Sequence, residues 1–149
     1  MKLSSKSRYA VKSMLQLALV KDGGSVPLMQ ITAEQGLSQS YLEQLFAALR
    51  ARNLIKGMRG PGGGYQLSRP ASEINIADVV DAVDESAFSR PARPMLSYLD
   101  DERYQFNAMW TDLSDLWREF LSTITLQELI DNHDKRREFL HHRFADKAA

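Results

Sequence analysis

The 149-residue chain contains no cysteine. That excludes disulfides, a thiolate nucleophile and any metal site built on sulfur. No apolar run approaches the length of a membrane span, and the opening MKLSSKSRYA lacks the apolar stretch of a signal peptide. A cytoplasmic protein is therefore expected. No Ser/His/Asp set accompanies the missing thiol, so the sequence does not read as an enzyme. Glycine is sparse, with eight in all, yet four of them fall with one proline in residues 60–64.

Net charge is also missing, since 19 Lys/Arg face 19 Asp/Glu, but the balance hides a division. Residues 1–70 carry ten basic and three acidic side chains, a net +7, while residues 71–149 carry nine against sixteen, a net −7. A basic half joined to an acidic half suggests a polyanion-binding module with a separate packing or regulatory part.

The basic half reads as three helices. Ser4 or Ser5 can cap the first, which runs to about Val20 with Ala10, Val11, Met14, Leu15, Ala18 and Leu19 on its buried side. Pro27 suits the opening of a short second helix with Leu28 and Ile31 inward, and Gly36 suits its left-handed stop. In GLSQSYLEQLFAALRARN, Ser38 is a good N-cap and Asn53 can turn left-handed after the last turn. Leu42, Leu45, Phe46 and Leu49 make one buried stripe. Across from it lie Ser40, Gln44, Ala47 and Ala51, flanked by Tyr41 and Glu43. Small and polar residues let that face approach another surface while offering hydrogen bonds, which reads as the second helix of a helix-turn-helix.

LIKGMRGPGGGYQL follows at once. Leu54–Met58 and Tyr65–Leu67 are β-prone, and the glycine-rich turn joins them as a hairpin, the wing of a winged helix. A phosphate-binding P-loop would end in Lys-Ser/Thr and lead into a helix, but here Tyr-Gln-Leu follows. Gly60 and Gly62 keep the tip thin, so Arg59 can enter a minor groove, whose negative potential attracts guanidinium.

SKSRYAVKSML, SQSYLEQLFAALR, RGPGGGYQLSR, DVVDAVDES, MWTDLSDLW and ITLQELI together closely resemble the IscR branch of the Rrf-two family of winged-helix transcription regulators. The resemblance reaches to about Asn132. It implies a homodimer that binds operator DNA, with a long helix of the C-terminal half making the dimer. It also implies a [2Fe–2S] cluster on three cysteines and a histidine, in the loop before AMWTDLSDLW. The corresponding positions here are Ala92, Tyr98, Tyr104 and Asn107. Some relatives use an acidic ligand early in the first helix, where this chain has Arg8. No thiolate or imidazole remains to hold a cluster in the family's manner, so neither metal nor cofactor is expected.

In the acidic half IADVVDAV reads as a short helix, and residues 87–107 as a long connection without clear periodicity. A helix then spans about Ala108 to Thr123. Trp110, Leu113, Trp117, Phe120 and Ile124 step by 3, 4, 3 and 4, and Met109, Leu116 and Leu121 widen the stripe. A stripe so broad can cover its own domain and also meet a partner helix, so Trp110, Leu113, Trp117, Phe120 and Ile124 form the expected dimer interface. Thr125 caps LQELI. His133, His141 and His142 do not converge as a metal set, because adjacent histidines point to different helix faces.

The expected fold is mostly α with a small β-hairpin. A winged helix-turn-helix DNA-binding domain occupies 1–70, a connecting helix and loop 71–107, a dimerisation helix region 108–132, and a tail 133–149. The expected function is that of a homodimeric, sequence-specific DNA-binding regulator without a cluster. Its DNA contacts are Ser38, Ser40, Tyr41, Glu43, Gln44, Arg59, Gly60 and Gly62, with Lys6, Arg8, Arg50 and Lys56 on phosphates. A regulator sensing another small ligand, and a protein-interaction module that has lost DNA binding, are the alternatives.

Overall fold

A computed structural model describes residues 3–20, 23–85, 87 and 101–132. Helix α1 (Ser5–Ala18) starts where the Ser4 side chain accepts from the Ser7 backbone N–H. Helix α2 (Leu28–Gln35) ends at Gly36 in the left-handed conformation, φ 65°. Helix α3 (Gln39–Ala51) is capped by Ser38 accepting from the Tyr41 N–H, and Asn53 turns left-handed beyond it, φ 54°. Leu42, Leu45, Phe46 and Leu49 are all buried, as their spacing predicts.

Strands β1 (Ile55–Met58) and β2 (Gly64–Leu67) pair antiparallel with Ile55 opposite Leu67 and Met58 opposite Gly64. After one 3-10 turn (Ala71–Glu73) come α4 (Ile76–Val83), α5 (Asp101–Ser122) and α6 (Leu126–Asp131). A capping box between Thr125 and Glu128 opens α6. The core is continuous: α4 packs on α1, α3 and α5, and α6 packs on α1. Met14, Ile31, Phe46, Val79, Val80, Leu121 and Leu126 join in one cluster. Ile76 N–H donates to the Ile124 carbonyl and Leu126 N–H to that of Ile74, both at 2.9 Å, so the end of α5 is stitched to the start of α4.

Two expectations need correction. The inward face of α1 is turned: Leu17 is buried, whereas Leu19 is 63% exposed just past the helix end. Ser7 and Ser13, which no apolar count would select, are fully buried. Small residues let α1 lie close to its neighbours, and Ser13 is satisfied by donating to the Tyr9 carbonyl (2.9 Å) and accepting from Gln35 (3.0 Å). Helix α5 also begins at Asp101, seven residues before the expected start at Ala108, so 101–107 are helix rather than loop. That first stretch is mostly polar, and Phe106 within it extends the apolar face, its ring stacked on Trp110 with centroids 6.3 Å apart. The remainder of the 87–107 connection, and the 133–149 tail, lie mostly or wholly outside the described residues.

Candidate nucleic-acid interface

The polar side of α3 is open. Ser40, Glu43, Gln44, Ala47, Arg50 and Ala51 are exposed, while the apolar stripe behind them fixes the helix to the core. Tyr41 lies on the flank of this face, as expected. It is half-buried, and its ring stands edge-on to Tyr9 with centroids 6.2 Å apart. The contact with Tyr9 holds the tyrosine ring at that flank. Ser38 has its oxygen engaged as the cap, at 3.3 Å from the Tyr41 N–H.

Beside α3 stands the wing. Its tip turns through Gly60 (φ 101°) and Gly62 (φ 75°), conformations that L side chains rarely adopt, and the Gly63 N–H closes it on the Gly60 carbonyl at 2.9 Å. The segment before α2 braces the hairpin from outside. Val26 and Tyr65 exchange two backbone hydrogen bonds of 2.9 Å, and Ser25 Oγ donates to the Gly62 carbonyl at 2.6 Å. With its amide oriented to satisfy both neighbours, Gln66 donates to the Gly23 carbonyl (2.8 Å) and accepts from Lys56 Nζ (3.0 Å). Neither Ser25 nor Gln66 stands out in the sequence, because each acts through a partner far along the chain or across the hairpin. The brace aims the wing.

Between the wing and the end of α3 runs an open groove of about 720 Å³. Arg50, Lys56 and Arg59 line it together with Asn53, Pro27 and Met29. Arg50 from α3 and Arg59 from the turn thus share one concavity beside the polar helix face, while Lys56 of β1 lines it and its ammonium is held at Gln66. Lys6 and Arg8 are exposed on the first turn of α1, where Arg8 approaches Ser5 Oγ at 3.4 Å. Grooves lined with one sign of charge attract and concentrate a polyanion. An exposed polar helix beside a thin basic hairpin is the arrangement with which winged helices meet duplex DNA.

The family profile described as "Rrf2: Iron-dependent Transcriptional regulator" matches residues 3–132. The chain belongs to the Rrf2 (Rrf-two) family. This Rrf2 protein is 48% identical over 134 residues to the HTH-type transcriptional regulator IscR of Photorhabdus laumondii, covering 90% of this chain and 82% of the relative. Among solved structures, T. potens IscR superposes with a TM-score of 0.73 at 30% identity, covering 91% of this chain and 90% of that one. The oxidized form of Staphylococcus aureus CymR gives 0.69 at 35% identity, over 87% and 95% of the two chains. The protein is an IscR-like, winged-helix member of a family of transcriptional regulators.

The residues present do not fit the iron–sulfur cluster that the resemblance implies. Tyr104 and Asn107 lie in the first part of α5, and the Asn107 carbonyl accepts from Thr111 Oγ1 at 2.9 Å. Ala92 and Tyr98 lie outside the described residues, but alanine offers no ligand atom and the chain has no cysteine to replace it. Phenol and amide oxygens are poor substitutes for the thiolates that hold such clusters.

Helix α5 presents a second, apolar surface. Phe106, Met109, Trp110, Leu113, Leu116 and Phe120 are all exposed, with Leu116 at 62%. On the opposite edge of the same helix Ser114 and Leu121 are buried against the core. Arg118 there donates to Asp81 of α4 at 2.8 and 3.1 Å. That hydrogen bond, then the carboxylate's charge, pushes the already high Arg118 pKa further up. Trp117 and Ile124 are half-buried against the chain's own core. The open part of the stripe is therefore displaced from those two toward Met109, Leu113 and Leu116. Among the described residues no helix is long and apolar enough to cross a membrane.

Proposed function

We propose that this protein is a homodimeric regulator that reads a specific operator in cytoplasmic DNA, has no catalytic role, and needs no iron–sulfur cluster to do so. The observation that carries this reading is the exposed Ser40–Gln44–Ala47 face of α3 beside the groove lined by Arg50, Lys56 and Arg59. Ser40 and Gln44 meet base edges in the major groove, where an amide pairs with adenine and a hydroxyl reaches several bases. Glu43 accepts from a cytosine amine, or repels a phosphate that comes close. Arg59 enters the minor groove, with Gly60 and Gly62 keeping its approach thin. Lys6, Arg8, Arg50 and Lys56 contact phosphates, and Ser38 and Tyr41 support the helix at the strand it faces. Two copies paired through α5 present two such heads to half-sites one or more helical turns apart.

Binding-site selection from random duplexes, with purified protein and no added metal, tests this reading. A two-fold-related pair of half-sites is the expected product. Recovery of unrelated sequences alone would overturn it. Iron and sulfide added to the same protein are expected to leave its affinity unchanged, because the donor set offers no thiolate. A visible charge-transfer spectrum with stoichiometric iron would contradict that expectation.

A further inference from the structure

We infer that Gln39 is a positioning residue for sequence choice: its amide holds the Glu43 carboxylate so that the other Glu43 oxygen selects cytosine at one position of each half-site. The inference rests on the reading of α3 as the recognition helix. Gln39 is the first residue of α3, and its Nε2 donates to Glu43 Oε1 at 2.9 Å. Residues four apart lie one above the other on a helix, so both side chains edge the Ser40–Gln44 face. Both are exposed, and that edge belongs to the N-terminal turns of α3, the part of a recognition helix that reaches base edges.

A lone carboxylate suits this place badly. It is repelled by the phosphates on either side of the groove, and its terminal torsion turns almost freely. The Gln39 amide offsets both problems. It supplies a donor to one oxygen, so part of the charge is compensated before docking, and it fixes the plane of the other oxygen. Cytosine is the base whose major-groove edge offers only an amine donor to such an acceptor. In the free protein this exposed pair is weak. Once the groove has shed its water the pair strengthens, because no solvent is left to take the amide's place. Glu43 thereby becomes a directional reader instead of a repellent.

The experiment repeats the site selection with Gln39→Ala, Glu43→Ala and the double variant, each checked by thermal unfolding. Gln39→Glu, which puts a like charge in place of the donor, is a second probe. Wild type is expected to select cytosine, or guanine on the complementary strand, at one fixed position per half-site. Gln39→Ala is expected to broaden that position alone and lower affinity for the selected site about tenfold. Gln39→Glu is expected to lose more. In the Glu43→Ala background, removal of Gln39 is expected to change nothing at that position. A sharp cytosine preference in Gln39→Ala overturns the inference. So does an effect of Gln39→Ala that persists without Glu43, since Gln39 would then read a base itself. If wild type selects no sequence, the recognition reading falls first and the inference with it.

Discussion

Leu116→Asp is expected to turn the protein into a folded monomer that no longer holds a paired operator. Leu116 is 62% exposed, so the substitution is expected to leave the winged helix intact. In a two-fold dimer each change occurs twice. Burying one leucine is worth about 1.5–3 kcal/mol, so a symmetric pair contributes at least about 3 kcal/mol, more than a hundredfold in the dimer constant. A buried unpaired carboxylate adds to that loss. Sedimentation at micromolar concentration is expected to give a dimer for wild type and a monomer for the variant, with far-UV circular dichroism unchanged. A dimer that survives Leu116→Asp would move the interface off α5. So would a monomeric wild type.

Gly64→Ala is expected to damage the wing severely. A Cβ built there lies 2.3 Å from the Val26 carbonyl oxygen, 2.4 Å from its carbon and 2.7 Å from the Pro27 nitrogen. All three are backbone atoms, so no side chain can swing aside. Relief requires the 23–27 segment to part from β2, which breaks the paired Val26–Tyr65 hydrogen bonds. Overpacking of this kind costs about 1–3 kcal/mol, and the two lost hydrogen bonds add to it. Urea unfolding measures the stability loss, and DNA affinity is expected to fall with it as Arg59 loses its bearing. Gly57→Ala is the control: its Cβ would meet only Tyr65 Cε1, at 3.9 Å, so stability is expected to stay within about 0.5 kcal/mol. Equal effects of the two substitutions would show that the brace does not hold the wing.

Helix α3 was legible because its signals are local. Ser38, the Leu42–Leu49 stripe and Asn53 each state their role within one or two turns of chain. The wing was legible for the same reason, since four glycines and a proline in five positions between β-prone segments leave few other readings. The braces were not, for Ser25 meets Gly62 and Gln66 meets Gly23 only after folding. Gln39 was missed although its signal was present: glutamine four residues before Glu43, on one helix face. The apolar step pattern of α5 located a surface but could not divide it. Packing assigns Leu121 and much of Trp117 to the chain's own core and leaves Leu113 and Leu116 open. The start of α5 escaped because a polar helical turn and a polar loop have the same composition.

Sequence reading by α3 is tested most directly by titrating wild type, Gln44→Ala and Arg50→Ala against the selected duplex and a scrambled one over a range of salt. Gln44 is proposed to pair with a base, so its removal is expected to cost about 1–3 kcal/mol on the selected duplex and little on the scrambled one. Its salt slope is expected to match that of wild type. Arg50 is proposed to meet a phosphate, so Arg50→Ala is expected to weaken both duplexes alike and to reduce the slope by about one unit. Equal losses on both duplexes for Gln44→Ala would show that the exposed face of α3 does not read sequence, and would contradict the account at its centre.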